Sequence, residues 1–361
     1  MPAGDIRHYG DIQWLRGIAA LLVVFEHLKN EMIFRLQGID PAAYETLFVP
    51  FVAGVDIFFV ISGFVIAHSS RRLFGQPGAW RLFLARRLAR IAPLYWLLTL
   101  AFLALLVVSG SRLVEQLDPA YLAGSFLFVP VANGDGVPLP ILPLGWTLNY
   151  EMMFYALFAL VLWLPRRIAL PLLSTMIGGI VLAGQILRPE SLQLRFWCDP
   201  IILEFLAGIA IQSLCARGLV LPGPARAALA AAGIAILLAV GLPDDLYSQR
   251  WILWGGPAAL IVLAAATGNT GIKRRVGDLA GDTSYAVYLV HLFVLIALSR
   301  AFLTLGWTSA PAVFLAYPVL ALTVIGVSAF LLHRLFERPV LSFLRTRIEP
   351  SRSVVERPTQ A

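Results

Sequence analysis

Long apolar runs recur along this chain from Ile12 to its last quarter, each able to cross about 30 Å of hydrocarbon as a helix. So many runs cannot all be hidden inside a core surrounded by water. A bilayer must be the solvent, and within it each lipid-facing segment has to satisfy its own backbone hydrogen bonds, which favours helices. The expected fold is therefore an all-α, polytopic membrane helix bundle. About ten spans are expected, at 12–29, 49–70, 91–109, 146–164, 168–187, 199–215, 225–241, 251–267, 283–304 and 311–333. Composition agrees: 59% of residues are hydrophobic and 14% charged, with a mean hydropathy of +0.80. The first run carries Arg16, Glu26 and His27 and has no small-residue cleavage site behind it, so it reads as a retained helix and not a signal peptide.

The formal net charge of +7 raises nucleic acid as a partner, but the placement of the charges argues against it. With the N-terminus inside, the expected cytoplasmic segments hold 20 of the 28 Lys and Arg residues. That bias orients a membrane protein and puts both termini in the cytoplasm. Tyr121 to Val131 is apolar but too short to cross, and reads as a re-entrant or interfacial segment. The Gly- and Pro-rich run from Asn133 to Gly145 returns the chain to the membrane and could shape an opening on the outer face. The expected organisation is a transmembrane domain over 1–333 and a basic cytoplasmic tail of little structure over 334–361. Cys198 and Cys215, near opposite ends of one expected helix, are too far apart to bridge within it.

An ionisable group in hydrocarbon costs at least about 2.5 to 3.5 kcal/mol on insertion scales, so each one asks for a reason. Arg16 and His27 are 11 positions apart, which leaves an offset of only ~20° and places them on one face, roughly 16 Å apart along the axis. Arg16 falls near the inner surface and His27, beside Glu26, near the outer one. Asp56 in GVDIFFVISGF and Glu151 in GWTLNYEMMFY are expected near the depth of His27. Three titratable groups in one layer make a candidate acid-base centre; the plain alternative for each carboxylate is a structural hydrogen bond. Arg87 and Arg90 stand three apart at the start of the third helix and suit a phosphate-bearing cytosolic ligand, with Arg16 pointing from the same side. Ser284, Tyr288 and His291, with Tyr285 close by, form a polar face of the ninth helix, where interhelical hydrogen bonding competes with chemistry. No HExxH, CxxC, GxSxG or Gly-rich nucleotide loop is present, and no metal site is expected.

In this order, IQWLRGIAALLVVFEH, GVDIFFVISGF, RRLARIAPLYW, GWTLNYEMMFY, GDTSYAVYLVHLFV and the closing FERP resemble the acyltransferase 3 family of membrane O-acyltransferases over essentially the whole chain. The resemblance implies transfer of an acyl group, often acetyl, from a cytosolic acyl-CoA to hydroxyls of extracytoplasmic or lipid-linked polysaccharides. It implies that Arg16 and His27 form the family's Arg-x10-His motif, that Arg87 and Arg90 form its Arg-x-x-Arg motif, and that Glu151 is its acidic position before an aromatic pair, Phe154 and Tyr155. His27 and Glu151 are thus the expected catalytic pair. Arg16, Arg87 and Arg90 are expected to bind acyl-CoA, with Glu26, Asp56, Tyr155, Ser284, Tyr285 and His291 as a supporting polar network. Acyl-CoA is expected as co-substrate with no tightly bound cofactor. The chain departs from relatives that carry an added periplasmic SGNH hydrolase-like domain and resembles the stand-alone proteins of exopolysaccharide or O-antigen decoration. A multi-pass place in the bacterial inner membrane follows, beside polysaccharide-biosynthesis machinery as a candidate partner. An antibiotic or other small molecule is the alternative acceptor. A transporter is the competing class, but the paired broken helices and inverted repeats that mark many carriers are not evident.

Overall fold

The computed structural model describes residues 9–38, 50–111, 114, 117–240, 249–268 and 274–349. Among them there is no strand, and the helices are α1 (Gly10–Asn30), α2 (Ala53–Ser69), α3 (Ala79–Val108), α4 (Pro119–Leu127), α5 (Trp146–Val161), α6 (Arg166–Leu187), α7 (Leu192–Trp197), α8 (Leu203–Ala216), α9 (Gly223–Ala239), α10 (Arg250–Leu253), α11 (Gly255–Ala266), α12 (Arg274–Thr304), α13 (Tyr317–Leu332) and α14 (Arg338–Ile348). Among the described residues, five helical stretches are long and apolar enough to cross a membrane: Ala79–Val108, Arg166–Leu187, Leu192–Ala216, Arg275–Thr304 and Ala312–Ile348. The expectation of ten spans also counts α1, with its internal charges, α5, interrupted by Glu151, and the shorter apolar stretches Ala53–Ser69, Gly223–Ala239 and Arg250–Ala266.

Two helices show why lipid suits this chain. In α6 the buried residues are Ala169, Leu173, Ile177 and Val181, a single stripe at every fourth position. The opposite faces are apolar as well, with Leu182 61% and Ile186 70% exposed. α13 repeats the arrangement with Tyr317, Ala321, Ile325 and Ala329 buried. A water-facing helix would place charges on its open faces; a lipid-facing one has no need to.

The most extensive helix pairs are α1 with α12 and α2 with α8. The second pair crosses backbone to backbone. A Cβ on Gly63 would overlap the carbonyl oxygen of Phe205, and one on Gly208 the carbonyl oxygen of Val60. Without lipid-excluding hydrophobic drive between helices, such close approach of small residues is what holds them. Around this crossing Phe154 and Phe205 stack at 4.5 Å and Phe59 and Phe205 at 4.8 Å, centroid to centroid.

The segment expected to be re-entrant overlaps α4, nine residues long, begun by Asp118 accepting from the Tyr121 amide and by Pro119, and ended by Phe128 at φ +60°. The expected tail of little structure is corrected for its first half. A π-helical turn, His333–Glu337, carries the chain into α14, which packs against α3. The signal is an amphipathic pattern of Val340, Leu341, Phe343 and Leu344 between arginines, outweighed in a reading of overall polarity. Residues 350–361 lie outside the described chain.

Candidate active site

A cavity of about 520 Å³ opens where the C-terminal end of α2, the N-terminal part of α3 and α14 meet. Its mouth carries Arg86, Arg87, Arg90, Arg345, Ser69 and Glu349. Arg16 of α1 reaches the same space. Further in, the wall is Ser62, Phe58 and Phe59 of α2, Glu151 and Tyr155 of α5, and Ser284, Tyr285 and Tyr288 of α12. Five guanidinium groups face two lining carboxylates, Glu151 and Glu349, so the cavity is built for an anion.

The arginines are held in different ways. Arg87 donates to Ser69 Oγ at 2.5 Å and lies over the rings of Phe83 and Tyr155, 5.6 and 6.0 Å from their centroids. Its Nε is buried without a partner. Arg90 instead donates to Glu337 Oε1 at 2.5 Å, and His333 Nδ1 lies 2.9 Å from the other oxygen of that buried carboxylate. Arg86 pairs with Glu349 at 2.7 Å, and Arg16 donates to Gln13 at 2.9 Å. Arg87 and Arg90 therefore do not act as one free fork: Arg90 is tethered from behind, while Arg87 has donors to spare.

Glu151 Oε1 accepts from Tyr155 at 2.5 Å and from Ser62 at 3.1 Å. Tyr285 donates to the Ile91 carbonyl at 2.9 Å, which fixes α12 against α3 along the cavity wall, whereas Ser284 donates at 2.7 Å to the Gly281 carbonyl of its own helix. Seven of the expected residues, Arg16, Arg87, Arg90, Glu151, Tyr155, Ser284 and Tyr285, are thus brought around one space.

Four are not. His27 lies outside the cavity lining, and its Nδ1 donates to the Val23 carbonyl at 2.9 Å. That bond leaves Nε2 with the lone pair in the neutral ring. No hydrogen bond joins His27 to Glu151, so the two residues of the expected catalytic pair are not in direct contact. His291 bonds the Val287 carbonyl in the same way at 3.2 Å, its Nε2 buried and unpartnered, and its ring meets that of His27 at 4.9 Å. Tyr288, in the cavity wall, is 6.2 Å from His291, so three rings lead from the cavity to His27. Glu26 pairs with Lys29 at 2.9 Å. Asp56 is withdrawn from the expected acid-base layer: Arg250 grips both its oxygens at 3.0 and 2.8 Å, and both side chains are buried.

Arg345 and Glu349 lie in the expected tail, where no sequence signal marks them, and Glu337 lies in the FERP string, whose pattern does not tell that its carboxylate holds Arg90. Arg250, the partner of Asp56, is 194 positions away, and no periodicity could have pointed to it.

The comparisons decide the family. The sequence pattern of the acyltransferase domain family, acyltransferase 3, matches residues 9–333. The chain belongs to this family. It is 36% identical over 304 residues to the exopolysaccharide production protein ExoZ of Rhizobium meliloti (strain 1021), a match covering 82% of the chain and 91% of the relative. It is 29% identical over 373 residues to the acyltransferase MdmB of Streptomyces mycarofaciens, covering 92% of each. No solved structure matches. The cavity is accordingly that of a membrane acyltransferase.

Proposed function

We propose that this enzyme moves an acyl group, acetyl first among the candidates, from acyl-CoA to a hydroxyl of an extracytoplasmic or lipid-linked polysaccharide. It does so in a bacterial inner membrane, crossing it about ten times with both termini in the cytoplasm. The arginine-rich mouth then faces the cytosol. The observation that carries the reading is the polarity of the cavity: arginines at the mouth, aromatic rings in the interior, and Glu151 with Tyr155 among them. Phosphates of CoA meet Arg86, Arg87 and Arg345, while Arg90, tethered by Glu337, and Arg16 line the way in. The thioester stops in the layer of Glu151 and Tyr155. As its C–S bond breaks, the thiolate takes a proton from this layer, and the proton that His27 removes from the acceptor hydroxyl restores it.

His27 acts from the other side. Its Nε2 takes the proton of the acceptor hydroxyl, whose oxygen attacks the thioester carbonyl. The ring series Tyr288, His291 and His27 marks where donor and acceptor meet. The relation to ExoZ supports an exopolysaccharide as acceptor.

The test is transfer by purified protein in lipid, with radiolabelled acetyl-CoA and polysaccharide from the native host. Label is expected in polysaccharide with the wild type and not with His27→Ala. A well-folded His27→Ala protein with undiminished transfer refutes the mechanism. Label in a low-molecular-mass product instead moves the acceptor to a small molecule. Cysteine labelling from each side at exposed positions of α14 tests the orientation.

A further inference from the structure

The cavity leaves one part of the molecule unexplained, the end of the bundle away from its mouth. α5 and α6 are joined beside the mouth, where the Gly75 amide bonds the Leu162 carbonyl, so the N-terminus of α5 and the C-terminus of α6 lie at the opposite end. Two adjoining depressions open there, of about 590 and 480 Å³. They share Arg195 and Asp199, which form a ridge between them.

The first depression has an aromatic wall. Tyr150 and Phe196 stack at 4.0 Å with planes 15° apart, and Trp146 stands edge-on to Tyr150 at 6.0 Å. Its other side is the loop from Gly136 to Leu139. That loop is preformed: Asn133 Oδ1 accepts the amides of Asp135 and Val137, and Gly136 takes φ +78°. Gln193 ties α7 to the Pro130 carbonyl at 3.1 Å, which holds the two sides together. The second depression adds Arg188 and Glu190 to its lining. Two arginines and two carboxylates therefore line the pair, in contrast to the excess of arginine in the cavity.

Balanced charges flanking aromatic rings select against an anion and against a lipid tail, which would strip water from the Arg195 guanidinium and the second oxygen of Asp199 and put nothing in its place. They fit a ligand with apolar C–H faces and a rim of hydroxyls. Two depressions in a row fit a ligand made of repeated units. We propose that this groove binds the saccharide chain of the acceptor, with a sugar ring against Trp146, which Tyr150 and Phe196 back, and hydroxyls on Arg195 and Asp199. This rests on the polysaccharide reading above and adds where the acceptor is held. Phe59 lines the inner cavity and packs on Trp146 at 6.4 Å and Tyr150 at 6.0 Å, so one layer of aromatic rings separates the groove from the donor's space.

The experiment is calorimetric titration of the full-length protein in nanodiscs, without acyl-CoA. The probe is a set of oligosaccharide fragments from the host polysaccharide, stripped of esters by mild base. Arg195→Ala alters an exposed side chain, and Asp199→Asn keeps the oxygen that accepts the Ile201 amide, so both variants should fold. Each is expected to bind fragments about tenfold more weakly, the loss of one charge-assisted hydrogen bond. Fragments that do not bind the wild type, or that bind both variants as tightly as the wild type, overturn the groove. Acyl transfer measured in parallel separates the two claims. Binding without transfer refutes the transferase mechanism alone; transfer with unchanged binding by the variants refutes the groove alone.

Discussion

The ion pair of Asp56 and Arg250 gives a sharp test of how the bundle is held, because the two partners are not equivalent. Their side chains are 0% and 6% exposed, the contact uses two hydrogen bonds, and Arg250 also lies over Trp254 at 4.9 Å. Glu204 is buried next to Asp56. Arg250→Met therefore strands two carboxyl groups around one lost cation. Removing one partner of a buried pair destabilises by about 3–5 kcal/mol, and the second carboxyl puts this variant at the upper end. Asp56→Asn keeps an oxygen for the guanidinium and leaves Glu204 within its field, so only the difference between a charged and a neutral hydrogen bond is lost, about 1–1.5 kcal/mol. At roughly 2 °C per kcal/mol for a chain of this size, the apparent melting temperature should fall by about 8–10 °C for Arg250→Met and about 2–3 °C for Asp56→Asn. The assay is stepwise heating of detergent-solubilised protein, followed by the height of the monodisperse peak on size exclusion. Equal losses for the two variants, or an Arg250→Met protein melting within about 2 °C of wild type, would refute the reasoning. Acyl-CoA affinity measured in the cold should not change in either, since neither residue lines the cavity.

Tyr155→Phe removes the 2.5 Å hydrogen bond to Glu151 and should lower kcat about tenfold with little effect on the donor KM, as read from initial rates of acetyl transfer. Arg345→Gln should raise the acyl-CoA KM about three- to tenfold without changing kcat, because it takes one cation from the mouth; an unchanged KM removes α14 from the donor site. Gly208→Ala, set against the Val60 carbonyl, should destabilise by about 1–3 kcal/mol in the same heating assay, whereas Gly179→Ala, with open space beyond its Cβ position, should have almost no effect.

The parts of this site that were legible in sequence are those that one helix can specify alone. Arg87 and Arg90 share a turn, Glu151 and Tyr155 are four apart, and Ser284, Tyr285 and Tyr288 lie within one turn and a half, so their common depth follows from helical geometry. Depth, however, is not direction. Asp56, expected in a layer with His27 and Glu151, turns to Arg250 on another helix. That pairing depends on the rotation of each helix about its axis, which tertiary packing sets and local periodicity does not. Arg90 illustrates the same limit: its motif partner Arg87 is three residues away, but its ion-pair partner Glu337 lies 247 away. The helical segment from Arg338 was hidden for a different reason, since a short amphipathic helix resting on protein has neither the length nor the apolarity of a span.

The crossing of α2 and α8 has a consequence for how the cavity can change. α2 supplies more of the lining than any other helix, and Gly63 and Gly208 leave it no room to move back. A wall that cannot retreat is a gauge. What passes between α2 and the helices facing it must fit a width set by side chains such as Phe58, Ser62 and Val65, not by helix displacement. Adaptation to a bulkier acyl group would then be written in those few positions, or on the opposite side in α14, none of whose residues is fully buried, and not in the glycines that hold the frame.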